Sequence, residues 1–248
     1  MIRTDIAPGI HYLEHARTNA YLVEDDDGRL LLVDTGLPGS RRVLVSALSR
    51  LGRSVQDIEA IILTHGHFDH VGTAEQLRTR FGIPVYCHSG DARLAAHPYS
   101  YEHERNPFLY PLRYPAAIPG LLRMTAAGAL FVKGVGETVD LTPEVAAALP
   151  GSPVVVPTPG HTKGHCALHF PDRDAVISGD ALVTLDPYTG HPGPQVVARA
   201  ATADMDTALR SLEALRSTGA AAVLPGHGYP WSAGVESAVA HALEVGGH

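Results

Sequence analysis

The chain has 248 residues, 45 % of them hydrophobic, enough for a sizeable core in one large domain or two small ones. Nineteen basic against 26 acidic residues give a formal charge of −7, which argues against a general nucleic-acid binder, since phosphate contact needs a basic surface. No apolar run approaches the roughly 20 residues of a membrane span, the first residues show no signal-peptide pattern, and two cysteines, Cys87 and Cys166, cannot build a disulfide framework. The expectation is a cytoplasmic enzyme acting on a small molecule, with no nucleic-acid or membrane partner.

Extended segments are predicted at Ile10–His15, Ala20–Glu24 and Arg29–Val33, the last two joined by the turn Asp25-Asp26-Asp27-Gly28. Ser40 is placed to cap a helix with Leu44, Leu48 and Leu51 on one face, closed by Gly52. Ile58–Leu63 reads as a buried strand, then a helix with Ala74, Leu77 and Phe81 on one side stops at Gly82, and Ile83–Cys87 is extended again. Further on, Val154–Pro157, His165–Phe170 and Ala175–Ser178 read as strands, with Pro171–Asp174 as the turn between the last two. Met205, Leu209, Leu212 and Leu215 mark a helix ending at Gly219, Ala221–Leu224 is apolar and extended, and residues from Ser232 on read as helix. Alternating strands and helices point to an α/β layer architecture.

His97–Pro119 breaks this pattern with prolines at 98, 107, 111, 115 and 119 and tyrosines at 99, 101, 110 and 114, plus Phe108. Proline at this density predicts no regular helix or sheet, while the aromatics argue against a disordered linker. Three readings stand: an ordered surface excursion, a lid or substrate wall, and a contact surface of a homodimer. On the second, Tyr99, Tyr101, Phe108 and Tyr110, with Tyr188 from a later loop, would bind substrate, and Arg105 and Arg113 would meet a carboxylate.

The informative run is His65-Gly66-His67-Phe68-Asp69-His70, which follows directly on an apolar strand. Imidazole and carboxylate are ligands for zinc and similar ions. Residues two apart in extended backbone point the same way, so His65 and His67 can share one ion, while Asp69 and His70, past a bend, face a second position. Each ion wants about four ligands. Three more candidates follow strands, each just after a glycine: Gly160-His161, Gly179-Asp180 and Gly226-His227.

In this order and spacing the chain resembles the metallo-β-lactamase-fold hydrolase superfamily, from Val33-Asp34-Thr35-Gly36 through His65–His70, His161 and Asp180 to His227. The resemblance implies an αββα four-layer sandwich, a single domain over residues 1–248 with 97–119 inserted, and metals at one edge of the paired sheets. It implies two divalent ions per chain, zinc foremost with iron or manganese as alternatives. His65, His67 and His161 would hold one, Asp69, His70 and His227 the other, with Asp180 bridging. Asp34 would steady the HxHxDH loop by hydrogen bonds. His165, which opens a strand, reads as a positioned histidine beside the site rather than a ligand; His88 has a structural role, His11, His15, His241 and His248 are surface or packing residues, and the two cysteines are core.

The implied activity is cleavage of an ester, thioester, lactone or lactam by a metal-bridging hydroxide, with Asp69 passing a proton to the leaving group. Departures narrow it little. Val183 stands where quorum-signal lactonases of this fold carry a tyrosine, the sequence after His227 is short for the helical substrate domain of the glyoxalase II type, and His67 replaces the glutamate of flavodiiron relatives. Nuclease relatives carry basic or large inserted domains that this sequence lacks. The alternative is an iron-dependent oxidoreductase of the persulfide dioxygenase kind, with iron on His65, His161 and Asp180. A third reading is a binding protein without chemistry.

Overall fold

A computed structural model describes residues 1–247, so His248 lies outside the described residues. The chain runs β1 (Ile2–Ala7), β2 (Ile10–His15), β3 (Thr18–Glu24), β4 (Leu30–Val33), α1 (Arg41–Arg50), β5 (Ile58–Leu63), α2 (Ala74–Phe81), β6 (Val85–Cys87) and α3 (Ala92–Ala96). It continues through α4 (Tyr110–Arg113), α5 (Ile118–Ala126), β7 (Val139–Asp140), α6 (Pro143–Ala148), β8 (Val154–Pro157), β9 (Cys166–Phe170) and β10 (Ala175–Gly179). Last come β11 (Val183–Leu185), β12 (Pro192–Gln195), α7 (Met205–Arg216), β13 (Ala222–Pro225) and α8 (Val235–Val245).

Strands β1 to β7 form one sheet in chain order, antiparallel as far as β4 and parallel beyond it. The second sheet has the order β13-β10-β9-β8, and β11 pairs with β12. Side-chain alternation along the strands sorts the core. On β4, Leu30 and Leu32 pack with Leu44 and Leu48 of α1, whereas Leu31 and Val33 face Leu168, Ile177 and Leu224 of the second sheet. On β10, Val176 turns outward to Leu212 of α7 and Val239 of α8. Three apolar cores thus separate four layers, α, β, β and α, in a single domain. Burial on both faces explains why β4, β5 and β10 read as apolar runs rather than alternating strands.

The sequence missed β1, whose side chains are largely exposed and polar, and the two-residue β7, too short for any periodicity. Ser40 does not cap α1; its own backbone is helical (φ −66°) and its hydroxyl accepts the Leu37 amide at 3.1 Å. Helical turns do form in the proline-rich segment, at 107–109, α4, 115–117 and α5. Pro107, Pro111, Pro115 and Pro119 each sit in the first two positions of these turns, where no backbone N–H is needed, so proline starts them instead of breaking them. Among the described residues no helix is long and apolar enough to cross a membrane.

Candidate metal centre

The loops after β4, β5, β8, β10 and β13 converge at one edge of the sandwich. After β5, Thr64 is fixed by Asp34, which accepts its N–H and its hydroxyl, both at 2.8 Å. The chain passes through His65 and turns helically, with His70 N–H bonded to the His67 carbonyl at 3.0 Å. That turn sets Asp69 and His70 on a different side from His65 and His67. Two glycines make the close approach of the other loops feasible. Gly179 adopts φ +51° to deliver Asp180, and a Cβ on Gly226 would collide with Asp180 Oδ1 and the His70 ring.

Two triads that share no residue result, His65 with His67 and His161, and Asp69 with His70 and His227. In each, one ligand-type atom per residue lies within 4.8 Å of the others, and all six side chains are buried. A third group, Asp34 with His65 and His70, cuts across them. His67 Nδ1 and His161 Nε2 face each other at 3.0 Å. Asp180 lies between the triads: Oδ2 is 3.5 Å from His161 Nε2 and 3.3 Å from His227 Nε2, and Oδ1 is 3.5 Å from His70 Nε2. His65 Nε2, His67 Nε2, His70 Nε2 and Asp180 Oδ1 are buried without a hydrogen-bond partner. Unpaired buried polar atoms cost about 1–3 kcal/mol each, and four at one place fit a cation-binding donor set.

The outer ring nitrogens are engaged, which fixes the tautomers. His70 Nδ1–H donates to Asp34 Oδ2 at 2.9 Å, and His227 Nδ1–H donates to the Arg17 carbonyl at 2.7 Å. His65 Nδ1–H donates to the Thr64 hydroxyl at 3.0 Å, and His161 Nδ1–H to the Thr202 hydroxyl at 3.3 Å. In all four Nε2 is the ring atom turned inward to meet a metal. His165 instead accepts the Asp180 N–H on Nε2 at 3.0 Å and contacts the Thr158 hydroxyl on Nδ1. It orients Asp180 from behind, and burial lowers it to about 4, so it stays neutral.

Charge divides the triads. Burial, reinforced by neighbouring histidines, holds His65 and His161 well below the usual imidazole range, and burial lowers His67 also. Burial opposes charge on His70 and His227 too, but Asp180, Asp34 and Asp69 outweigh it at His70, lifting it to about 9, while Asp180 and Asp69 lift His227 well above its ordinary value. Despite burial, His70 and His227 hold the Asp69 and Asp180 carboxyls below the ordinary range.

The sequence missed Asp91. This buried carboxylate accepts the Gly66 N–H (2.9 Å), the Thr162 hydroxyl (2.7 Å) and the Gly164 N–H (2.7 Å), tying the loop of His65 and His67 to that of His161. Its one signal was position: Ser89-Gly90-Asp91 follows a strand, as the other glycine-led residues do.

Of the expected substrate residues, Tyr101 and Tyr188 do line the cleft over the triads, with Phe68, Leu121, Met124 and Pro187. Their hydroxyls lie 3.3 Å apart, and the remaining room is about 30 Å³. Tyr110 backs Tyr188 edge-on from outside, at 6.2 Å between rings. Tyr99 stacks on Phe68, and its hydroxyl is engaged with the Ala129 carbonyl and the Val132 N–H. Phe108 is 85 % exposed and outside the cleft, because its helical turn points outward. Arg105 and Arg113 line an outer groove with Leu109 and Tyr114, so they do not reach the triads either. His88 accepts the Gly90 N–H, a local structural role, and both cysteines are buried and free. His11 is buried in β2, and His241 donates to the Pro194 carbonyl.

A four-layer sandwich with a histidine–aspartate centre at its edge defines a class of metal-dependent proteins. The chain belongs to the metallo-beta-lactamase superfamily, whose family model matches residues 15–227. A probable metallo-hydrolase of Bacillus subtilis (strain 168), YflN, is 32 % identical over 91 % of this chain and 86 % of its own length. A hydroxyacylglutathione hydrolase of Fuscovulum blasticum is 30 % identical over 66 % of this chain, which spans about half (48 %) of that relative. The solved structure of TTHA1623 in a di-iron-bound form superposes with a TM-score of 0.63 at 28 % identity, covering 91 % of this chain and 95 % of the other.

Proposed function

We propose that this protein is a dinuclear metal-dependent hydrolase that cleaves an ester, thioester, lactone or lactam bond of a small molecule. The observation that carries this is Asp180, whose two carboxylate oxygens face nitrogens of both triads. With both triads loaded, a carboxylate there would reach both cations and offset their repulsion. Bound by the triads, two divalent ions supply the Lewis acidity that ionises water near neutral pH and polarises a carbonyl. Zinc suits the histidine-rich set, and the di-iron form of TTHA1623 makes iron a second candidate.

The chain's own residues do the rest. Asp69, kept ionised beside His227 at 3.3 Å, lines the cleft and accepts a proton for the leaving group. Phe68, Leu121 and Met124 give the cleft an apolar wall, and Tyr101 and Tyr188 bring hydroxyls over it. Tyr101, from the 97–119 segment, covers this cleft together with Tyr188, Leu121 and Met124, and with room for only a water or two, substrate entry requires these side chains to move, which supports the lid reading. The test is metal analysis together with a panel of chromogenic esters, thioesters, lactones and a cephalosporin on zinc- and iron-loaded protein. Two ions per chain and turnover of one class are expected, and Asp180→Ala should lose metal and nearly all turnover. Oxygen uptake on a persulfide without hydrolysis of any panel member would replace the hydrolase reading with the oxidoreductase one.

A further inference from the structure

Half of the large apolar side chains exposed among the described residues lie between Phe108 and Phe131, about a tenth of the chain. Phe108 is 85 %, Leu112 82 % and Phe131 84 % exposed. Phe108 and Leu112 stand four residues apart on consecutive helical turns, as do Ile118 and Leu122 on α5, so each pair shares a face. Apolar side chains clustered in this way are unlike the single ones scattered over an ordinary surface. The charge of the segment is just as biased. Arg105, Arg113, Arg123 and Lys133 are exposed, and no aspartate or glutamate occurs from Arg105 to Gly136, in a chain whose net charge is −7. Lys133 lies 3.9 Å from Glu75 of α2.

We propose that the outer surface of residues 105–133 docks onto an anionic phospholipid surface. Exposed leucine and phenylalanine interspersed with arginine and lysine is the chemistry that partitions into a headgroup boundary, the apolar side chains entering the acyl edge while the cations meet phosphate. A second copy of the chain fits worse, because two-fold pairing would set the exposed Arg105, Arg113 and Arg123 against their own copies. The same helix α5 that carries Leu122 outward turns Leu121 and Met124 into the cleft. Docking therefore sets the cleft beside the lipid, where an amphiphile could pass into it without crossing bulk water.

The test is cosedimentation of the metal-loaded protein with vesicles of phosphatidylcholine alone or mixed with phosphatidylglycerol, at low and high salt. Binding to the anionic vesicles, weakened by salt, is expected. Arg113→Glu with Arg123→Glu, and separately Leu112→Ser with Phe131→Ser, should each reduce it by about tenfold or more, with melting temperature and metal content unchanged. Absence of binding to anionic vesicles, or binding as strong as wild type in both variants, would overturn the proposal. So would a wild-type dimer that Leu112→Ser with Phe131→Ser turns into monomer without vesicle binding in either form, which would make the face a self-interface.

Discussion

Asp34 Oδ2 accepts the Nδ1–H of His70 at 2.9 Å and, through the Thr64 hydroxyl, steadies His65 as well, so one carboxylate orients a histidine of each triad. Its backbone is left-handed (φ 55°), a conformation the surrounding bonds hold in place. Asp34→Asn would turn an amide NH₂ toward His70 and push the ring proton onto Nε2, the atom that must stay bare. Zinc affinity should fall about 10- to 100-fold, measured by competition with a chromophoric chelator. Unchanged affinity would mean the ring is fixed by packing alone.

Asp91 predicts a different phenotype, because it accepts from two loop backbone N–H groups and the Thr162 hydroxyl and from no histidine ring. Asp91→Ala strands three buried donors and should lower the stability of the metal-free protein by about 3 kcal/mol, or roughly 6–12 °C in Tm. Urea denaturation would check the size, and an effect under about 0.5 kcal/mol would show that the loops relax onto other partners.

How much of this was legible follows from where the information lies. HxHxDH, Gly160-His161, Gly179-Asp180 and Gly226-His227 were readable because each is a ligand-type residue next to a local signal, a strand end or a glycine. Asp91 looked like any turn aspartate, since its three partners come from two other loops and only tertiary closure brings them together. The α5 wall is hidden in the sequence for the opposite reason: proline signals a break, whereas at helix starts it is an initiator. Direction was invisible too. Phe108 and Tyr101 are equally aromatic in sequence, yet one faces solvent and the other the cleft.

The charge asymmetry between the triads sets a pH dependence. His70 and His227 are raised, so at neutral pH in the metal-free protein they carry protons that a metal must displace, whereas His65 and His161 are already neutral. Loading the second triad at pH 7 should release about two protons and the first about none, read by calorimetry in buffers of different ionisation enthalpy. The stabilisation that His70 gives the metal-free fold is complete below about pH 6.5 and is lost as pH rises through about 9, while metal affinity grows over the same range. The gap in Tm between loaded and metal-free protein should therefore widen from pH 6.5 to 9. A constant gap would contradict the assignment.

The tyrosine pair gives a kinetic prediction. Tyr101→Phe breaks the 3.3 Å contact with Tyr188 without touching a ligand-type atom. It should leave metal content intact and change KM by about two- to tenfold, the effect of a single hydrogen bond. Replacing residues 100–116 by a Gly-Ser bridge removes Tyr101 and the Tyr110 support of Tyr188, and should alter substrate ranking with metal retained. Unchanged kinetics on every substrate would exclude this segment from the cleft cover.

Each triad draws on both sheets: His65, His67, Asp69 and His70 follow β5, His161 follows β8 and His227 follows β13. Ions held there would act as rivets through the edge of the sandwich, adding to the Asp91 and His227 hydrogen bonds that already tie the two halves together. Chelation would then loosen a joint as well as stop the chemistry, and faster amide exchange should start at the loops of that edge and leave the α1 and α8 layers untouched.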